Sequence, residues 1–249
     1  MLSALIRLLG SVLLILSANL QADELHITIS TGEYAPFTTE QHEHYGLINQ
    51  AITEAFRREG VVAEYQFLPW ARALESVVVG GSDASSFWYY SPDLEKDYLL
   101  SDPIHEHREV FFHLKDLAVP NWQELSDLSH LTFGATQGYT YTPEFWSLGQ
   151  RKLLHLQVIS SDEQGLLMLM SRRIDMLPMD EVVGWQMFQE KLSEDELARV
   201  TISEKPLKAS ESYLVFSRAN NDATDLLEKF NAGLRSIKSD GTFDAIFAR

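Results

Sequence analysis

The sequence repeats one arrangement of helix, turn and strand in its two halves, and this repeat constrains the fold more than any other feature. Residues 74–83 (LESVVVGGSD) align without gaps on residues 166–175 (LLMLMSRRID), and each segment ends on an aspartate at the start of a strand. Five residues beyond these aspartates lie Trp88 and Asp180. Short apolar strands alternate with amphipathic helices throughout, which is typical of α/β folds. We predict two similar α/β lobes whose equivalent strand ends face a shared cleft, where open α/β sheets bind ligands.

The first 22 residues have the pattern of a secretory signal peptide. Arg7 is their only charged residue, and an apolar run of about ten residues follows it and leads through small and polar residues to Ala22. That run is shorter than the roughly 20 residues that a membrane span requires. No cysteine follows it to carry a lipid anchor. We predict that residues 1–22 are removed and that the mature protein is periplasmic.

Composition excludes several classes of protein. The chain has no cysteine, so an exported form cannot depend on disulfides and must be stabilised by packing. Its net charge of −16 would repel phosphate backbones, which argues against a nucleic-acid partner. Two His-x-His pairs, His42 with His44 and His105 with His107, lack the spacing of helical zinc ligands and a third placed ligand. We predict neither a metal nor a cofactor.

The stretch 80–103 carries an informative order of residues. A turn of small residues and an aspartate lead into aromatics at 87–90, a Ser-Pro-Asp turn follows, and the stretch closes on Ser-Asp-Pro. Further segments in the same order are the Tyr-Ala-Pro-Phe loop at 34–37, Gly-Tyr-Thr at 138–140 and Asp-Gly-Thr at 240–242. Together they resemble the bacterial extracytoplasmic solute-binding proteins of family 3, the receptors of amino-acid-type ABC importers.

The resemblance covers essentially the whole mature chain and implies the periplasmic-binding-protein type II fold, an α/β fold in which two lobes enclose a ligand cleft. It implies that residues 23–113 begin the first lobe, that 114–206 form the second, and that 207–249 return to the first. It also implies a monomer that binds a small molecule without catalysis and therefore has no catalytic residue.

The resemblance assigns aromatic residues to the ligand. In the family an aromatic side chain after the first strand stacks on the ligand, and Tyr34 and Phe37 follow that strand here. Trp88 and Tyr89 add aromatic surface at the end of the third strand. Packing within their own lobe is the alternative for these side chains. Because side chains alternate along a strand, we expect only part of the run from Trp88 to Tyr90 to face the cleft.

The resemblance also assigns polar contacts. Asp180 lies where the family binds the ligand's amino group, a charge-assisted contact, and the alternative role for Asp180 is to cap the following helix. The two roles are compatible. Tyr139 and Thr140 precede the helix start at Thr142-Pro143, where free amides and the helix dipole can hold an anion. In the family this region helps to bind the ligand carboxylate.

Leu94 is the main departure from the family. The resemblance places a carboxylate-binding arginine at this position, and leucine cannot donate a hydrogen bond. A carboxylate set against Leu94 would lose roughly 1–3 kcal/mol. Arg72 is the candidate replacement and Trp70 a further expected ligand contact, since Trp70-Ala-Arg72 follows Pro69 at the end of the second strand. Pairing of Arg72 with Glu75 on the surface is the alternative.

Three function classes follow from these residues. The first is a receptor that captures a small polar solute with an amino group and delivers it to the membrane permease of an ABC importer. The second is a periplasmic protein of the same fold that signals to a membrane sensor. The third is an enzyme similar to cyclohexadienyl dehydratases, with Glu33 or Glu181 as an acid, and the loss of the arginine clamp at Leu94 counts against it.

Overall fold

The structure is a computed structural model that describes residues 25–139 and 141–248. The expected signal peptide at 1–22 and the site residue Thr140 lie outside the described residues. The strands are β1 (Leu25–Thr31), β2 (Val61–Phe67), β3 (Ala84–Tyr89), β4 (Tyr98–Leu100), β5 (His105–Leu114), β6 (Thr132–Thr136), β7 (His155–Ile159), β8 (Leu177–Asp180), β9 (Val200–Ile202) and β10 (Lys208–Ser217). The helices are α1 (Leu47–Arg58), α2 (Trp70–Val78), α3 (Pro92–Asp97), α4 (Pro143–Gln150), α5 (Asp162–Met170), α6 (Glu181–Lys191), α7 (Glu194–Leu197), α8 (Ala223–Ser239) and α9 (Thr242–Phe247). Across this part of the chain, no helix combines the length and apolar content that a membrane crossing needs.

One sheet runs through both lobes in the order β2-β1-β3-β10-β5-β8. β1 pairs in parallel with β2 and β3, and in the second lobe β6 pairs in parallel with β7. β6 is tied to the main sheet by a bridge between Phe133 and Met176. The two long strands β5 and β10 are antiparallel to each other and connect the lobes. This topology confirms the α/β, two-lobed architecture.

Each lobe has its own hydrophobic core. In the first lobe α1 and α8 pack on the sheet, and the rings of Phe56 and Phe230 lie 5.2 Å apart between them. In the second lobe, Phe112 and Phe188 pack at 4.8 Å on one face of the sheet, and Phe133 belongs to a further cluster. Two cores of this kind let the lobes remain separate bodies on either side of β5 and β10.

The repeat found in the sequence has a structural counterpart. In the first lobe the backbone N–H of Thr28 donates to Oδ2 of Asp83 at 2.8 Å, and in the second lobe the N–H of Thr132 donates to Oδ2 of Asp175 at 2.8 Å. Each aspartate also returns a hydrogen bond from its own N–H to the carbonyl of the same threonine. Each aspartate therefore joins the start of the strand that follows it to a neighbouring strand of the same lobe, and it does so at equivalent positions in the two lobes.

The chain passes between the lobes along β5 and β10. β5 pairs with β10 through His105–Glu109 and then continues alongside β8. β10 continues beyond Ser212 to pair with β3 and β4 of the first lobe. The lobe bounds expected from the sequence, 23–113, 114–206 and 207–249, stay a prediction.

A candidate ligand cleft between the lobes

A cavity of about 640 Å³ lies where the strand ends of the two lobes meet. Aromatic side chains form much of its wall: Tyr34, Trp70, Phe87, Trp88, Tyr89, Tyr139 and Tyr141. The charged and polar side chains that line it are His107, Glu109, Asp162, Asp180, Lys208 and Ser210. Six of the residues expected to bind ligand are therefore brought together: Tyr34, Trp70, Trp88, Tyr89, Tyr139 and Asp180.

A bulge in β3 shapes the first-lobe wall. The pairing of β3 with β10 shifts register between Tyr213 and Val215, and Phe87 has a φ of 66° at that point. A non-glycine residue at positive φ is strained, and bulges re-aim side chains next to binding sites. Trp88 and Tyr89 line the cavity together with Phe87 whereas Tyr90 does not, so only part of the run from Trp88 to Tyr90 faces the cleft, but the consecutive residues do not alternate between its two sides.

Phe37 lies behind the wall rather than in it. Its side chain is fully buried, and its ring packs on Tyr34 at 5.9 Å and on Phe87 at 5.6 Å. Tyr34 and Phe87 in turn lie 5.4 Å apart. Phe37 is thus packed among its own lobe's aromatics, and it supports the two rings that line the cavity.

Trp70 and Trp88 meet edge to face at 5.6 Å on the first-lobe side. The indole of Trp70 covers the backbone at Gly32, where an added Cβ would come within 2.2 Å of the ring. The indole N–H of Trp88 donates to Oγ of Ser85 at 2.8 Å. These contacts fix both rings, so the aromatic wall is largely preformed.

Neither Leu94, which stands where the family has a carboxylate-binding arginine, nor Arg72, the candidate replacement, lines the cavity. Leu94 is 8% exposed and packs in a hydrophobic cluster with Val77, Tyr98 and Val215. Arg72 is exposed on α2 and lies outside the lining residues. Among the described lining residues the one side chain with a permanent positive charge is that of Lys208.

Asp180 caps the following helix, which is the alternative role that the sequence allowed, and its second carboxylate oxygen faces His107. Its Oδ1 accepts hydrogen bonds from the N–H groups of Val182 at 2.9 Å and Val183 at 3.2 Å, so it caps α6. Its Oδ2 lies 3.6 Å from Nδ1 of His107. Nε2 of His107 is 3.0 Å from Oγ of Ser212, whereas Nδ1 is buried and has no hydrogen-bond partner among the described residues.

Glu109 and Lys208 occupy directly opposed positions on β5 and β10. Burial raises the pKa of Glu109, an effect that the ammonium of Lys208 opposes and the carboxylates of Asp180 and Asp162 reinforce. Sequence analysis missed this pair. The available signal was Glu109 in the middle of β5, since strand interiors seldom bury a charge without a partner.

Asp162 adds a carboxylate from the start of α5. It accepts hydrogen bonds from Oγ1 of Thr136 at 2.7 Å and from the hydroxyl of Tyr139 at 2.9 Å. Burial, followed by the carboxylates of Asp180, Glu109 and Asp162, raises the pKa of Tyr34 to about 12. The carboxylates of the second-lobe side therefore act electrostatically on Tyr34 on the first-lobe side of the cavity.

The carboxylates suggested for an enzyme lie elsewhere. Oε2 of Glu33 accepts a hydrogen bond from the N–H of Glu40 at the surface, at 3.1 Å. Glu181 forms an ion pair with Arg108 at 2.8 Å. Neither glutamate is among the lining residues. Within the described residues, no group of three or more acidic or histidine side chains is arranged to hold a metal ion.

Solved structures share this fold. One is the second substrate-binding domain of GlnP from Lactococcus lactis in an open conformation, with 17% identity and a TM-score of 0.73 over 91% of this chain and 95% of that chain. Another is the unliganded, open L-cystine receptor of Neisseria gonorrhoeae, with 19% identity and a TM-score of 0.68 over 90% and 92% of the two chains. A third is an ancestral cationic amino acid solute-binding protein, with 19% identity and a TM-score of 0.67 over 90% and 94%.

Comparison of the sequence with protein families agrees with the structural similarity. No curated protein matches the chain significantly. The family model of the bacterial extracellular solute-binding proteins, family 3, matches residues 27–249, which is almost the whole described chain. The chain therefore belongs to the bacterial extracellular solute-binding proteins, family 3.

Proposed function

We propose that this protein is a periplasmic receptor that captures a small solute bearing an amino group and delivers it to the permease of an ABC-type importer. It acts as a monomer, without turnover. Family membership and the amino-acid receptors that share the fold support this function. The solute binds between the lobes, where the cavity is of a size that suits a small organic molecule.

The observation that carries the proposal is the position of Asp180. This carboxylate ends β8, faces the cavity and is only 14% exposed, so an ammonium group that reaches it leaves water and gains a charge-assisted hydrogen bond. The aromatic rings of Tyr34 and Trp88 lie on the first-lobe side of the same cavity. A bound solute therefore contacts both lobes at once.

Contact with both lobes explains how binding becomes a signal. A ligand shifts the equilibrium between open and closed forms only by its difference in affinity for the two. A solute held by Asp180 in one lobe and by aromatic rings in the other makes its full set of contacts only in the closed form. The membrane partner then recognises the closed receptor.

A thermal-shift screen of the exported protein tests this function. Amino acids, simple amines, short peptides and organic acids are added at the same concentration, and a ligand raises the melting temperature by an amount that grows with the logarithm of its excess over Kd. We expect stabilisation by one class of amino-group compounds. Stabilisation by organic acids alone, or turnover of prephenate by the same sample, would overturn the proposal.

An uptake assay distinguishes a role in transport from a role in sensing. Cells that lack the gene are expected to lose uptake of the radiolabelled compound found in the screen, and the intact gene is expected to restore it. Unchanged uptake in the deletion strain, together with a lost transcriptional response to the compound, would assign the protein to a membrane sensor instead.

A further inference from the structure

The charges that line the cleft do not balance. Three carboxylates, Glu109, Asp162 and Asp180, face one ammonium group, that of Lys208. Glu109 and Lys208 stand opposite each other on β5 and β10 and offset each other's charge. The carboxylates of Asp162 and Asp180 have no lysine or arginine partner among the described lining residues, and the side chain beside Asp180 is His107 at 3.6 Å. In a partly desolvated cavity such charges strongly favour a cationic ligand.

A ligand carboxylate would find a poor environment in this cavity. Leu94 is packed in the first-lobe core and Arg72 lies outside the lining residues, so no guanidinium is available to form a bidentate pair. The ammonium of Lys208 faces Glu109 and lies 5.9 Å from the ring centre of Tyr89. A carboxylate placed beside Lys208 would therefore also lie near Glu109, and the two like charges would repel.

The two lobes contribute different kinds of side chain to the cavity wall. Asp180 ends β8 and Asp162 begins α5, both in the second lobe. Trp70, Trp88 and Tyr89 come from the first lobe. An ammonium group prefers a carboxylate or the face of an aromatic ring, and methylene groups prefer aromatic surface. The arrangement suits a hydrocarbon chain that lies on the first-lobe wall with charged ends turned toward the second lobe.

His107 supplies an independent observation at one end. Its side chain is 4% exposed and lines the cavity, and its Nδ1 is buried without a partner among the described residues. When Nε2–H donates to Oγ of Ser212, Nδ1 is an acceptor. Nδ1 and Oδ2 of Asp180 are then two acceptors 3.6 Å apart, which one ammonium group can bridge. An unpaired buried nitrogen is costly, and this contact removes the cost.

We infer that the ligand of the cleft is an amine with two positive charges and no carboxylate, as in an α,ω-diamine. One ammonium group lies between Asp180 and His107, and the other lies at Asp162. This inference rests on the proposed function, because it names the class of solute that the same cleft captures. It differs from binding of an amino acid in that no described side chain of the cleft is assigned to a carboxylate.

Matched ligands test the inference directly. 1,5-Diaminopentane and L-lysine differ only by the carboxylate of L-lysine, and 1-aminopentane has the same chain with a single charge. Kd is measured by calorimetry on the exported protein at about 0.15 M salt, where long-range surface attraction is screened. We expect 1,5-diaminopentane to bind at least about tenfold more tightly than either of the other two, a difference of about 1.4 kcal/mol. Magnesium chloride is a control for a dication without a chain and is expected to give no heat.

The outcomes separate this inference from the proposed function. L-lysine binding as tightly as 1,5-diaminopentane, or more tightly, overturns the inference and leaves the receptor function in place. If 1-aminopentane binds as tightly as 1,5-diaminopentane, the cleft does not recognise a second positive charge, and that part of the inference is wrong. Absence of binding by every amine and amino acid overturns the inference and the proposed function together.

A variant localises the second ammonium group. Asp162→Asn is expected to weaken binding of 1,5-diaminopentane at least about tenfold while binding of 1-aminopentane stays within about twofold. Glu163→Gln is the matched control, since Glu163 is exposed, pairs with Lys191 and does not line the cavity. Melting temperatures show whether Asp162→Asn folds. If it does not, Thr136→Val, which removes a hydrogen bond to Asp162 from a residue outside the cavity lining, is expected to weaken diamine but not monoamine binding. Equal effects on both ligands would overturn the placement.

Discussion

Asp180 uses its two carboxylate oxygens for different purposes, and His107 lies beside only one of them. Oδ1 caps α6, whereas Oδ2 points to Nδ1 of His107 at 3.6 Å and remains available to a ligand. One residue therefore ties the start of a helix to the floor of the cleft. Substitutions at this position separate the structural role from the binding role.

Asp180→Asn is expected to weaken amine binding about 10- to 100-fold with little change in stability, because asparagine caps helices as well as aspartate but carries no charge. Asp180→Ala is expected to weaken binding similarly and also to lower the free energy of unfolding by about 1 kcal/mol. Calorimetry and urea denaturation measure the two effects. Equal stability of the alanine and asparagine variants would show that the cap contributes nothing.

Ligand binding is expected to change tryptophan fluorescence through Trp88, which lines the cavity next to Trp70. Trp88→Phe should remove most of the change while retaining an aromatic wall. Trp185→Phe is the matched control, since Trp185 packs on Phe112 in the second lobe at 5.2 Å and does not line the cavity. A signal that survives in Trp88→Phe and disappears in Trp185→Phe would place the ligand elsewhere.

His105 is expected to make stability depend on pH. Burial, followed by the nearby His107, lowers the pKa of His105 to about 4, and its ring stacks on Phe247 at 4.3 Å. The unfolded chain, with a histidine pKa near 6.5, then binds a proton more readily than the folded chain. The contribution of His105 to the free energy of unfolding is therefore complete above pH 6.5 and is lost as the pH falls toward 4.

Between pH 7 and pH 5 we expect His105 to lower the free energy of unfolding by about 1 kcal/mol, a value reduced because the side chain is partly exposed. Urea denaturation at the two pH values measures it. His105→Phe keeps an aromatic ring against Phe247 and removes the titrating group, so it should lose less stability over the same interval. An identical loss in the variant and the parent protein would contradict the assignment to His105.

Gly233 is expected to be essential to the contact between α8 and α1. A Cβ at this position would lie 2.0 Å from the carbonyl oxygen of Ala55, so the helices would have to separate. Gly233→Ala gains about 1 kcal/mol in helix propensity, but we expect a net loss of about 1–3 kcal/mol from crowding. Glu228→Ala, at an exposed position of α8, should change stability by no more than about 0.5 kcal/mol. A more stable Gly233→Ala variant would refute the close packing.

The sequence was sufficient for the α/β class and for the cleft residues that depend on local position. Trp88 and Asp180 follow the aspartates of the repeat by the same interval, and both line the cavity. Strand ends and helix starts are encoded by nearby residues, so such positions can be read from one segment at a time. The family motifs added Tyr34 and Tyr139 on the same basis.

The remaining features depend on segments that are distant in the sequence. The bulge at Phe87 arises where β3 pairs with β10, more than a hundred residues away along the chain, so alternation within β3 could not predict it. Phe37 and Leu94 are buried by neighbours from other elements. Asp162 joins the site because α5 begins beside Thr136 of another strand. Burial and register are properties of the assembled lobes.

The strands that connect the lobes have a consequence for how this receptor can acquire new ligands. Glu109 and Lys208 face each other on β5 and β10, the strands that connect the lobes, and we expect any closing motion of the lobes to bend or twist these strands. A substitution that alters the charge of this pair therefore changes both the preference for a solute and the ease of closing. Ligand preference and lobe closure therefore depend on the same two residues. A substitution that changes the preferred ligand is expected to change the angle between the lobes in the unliganded protein as well.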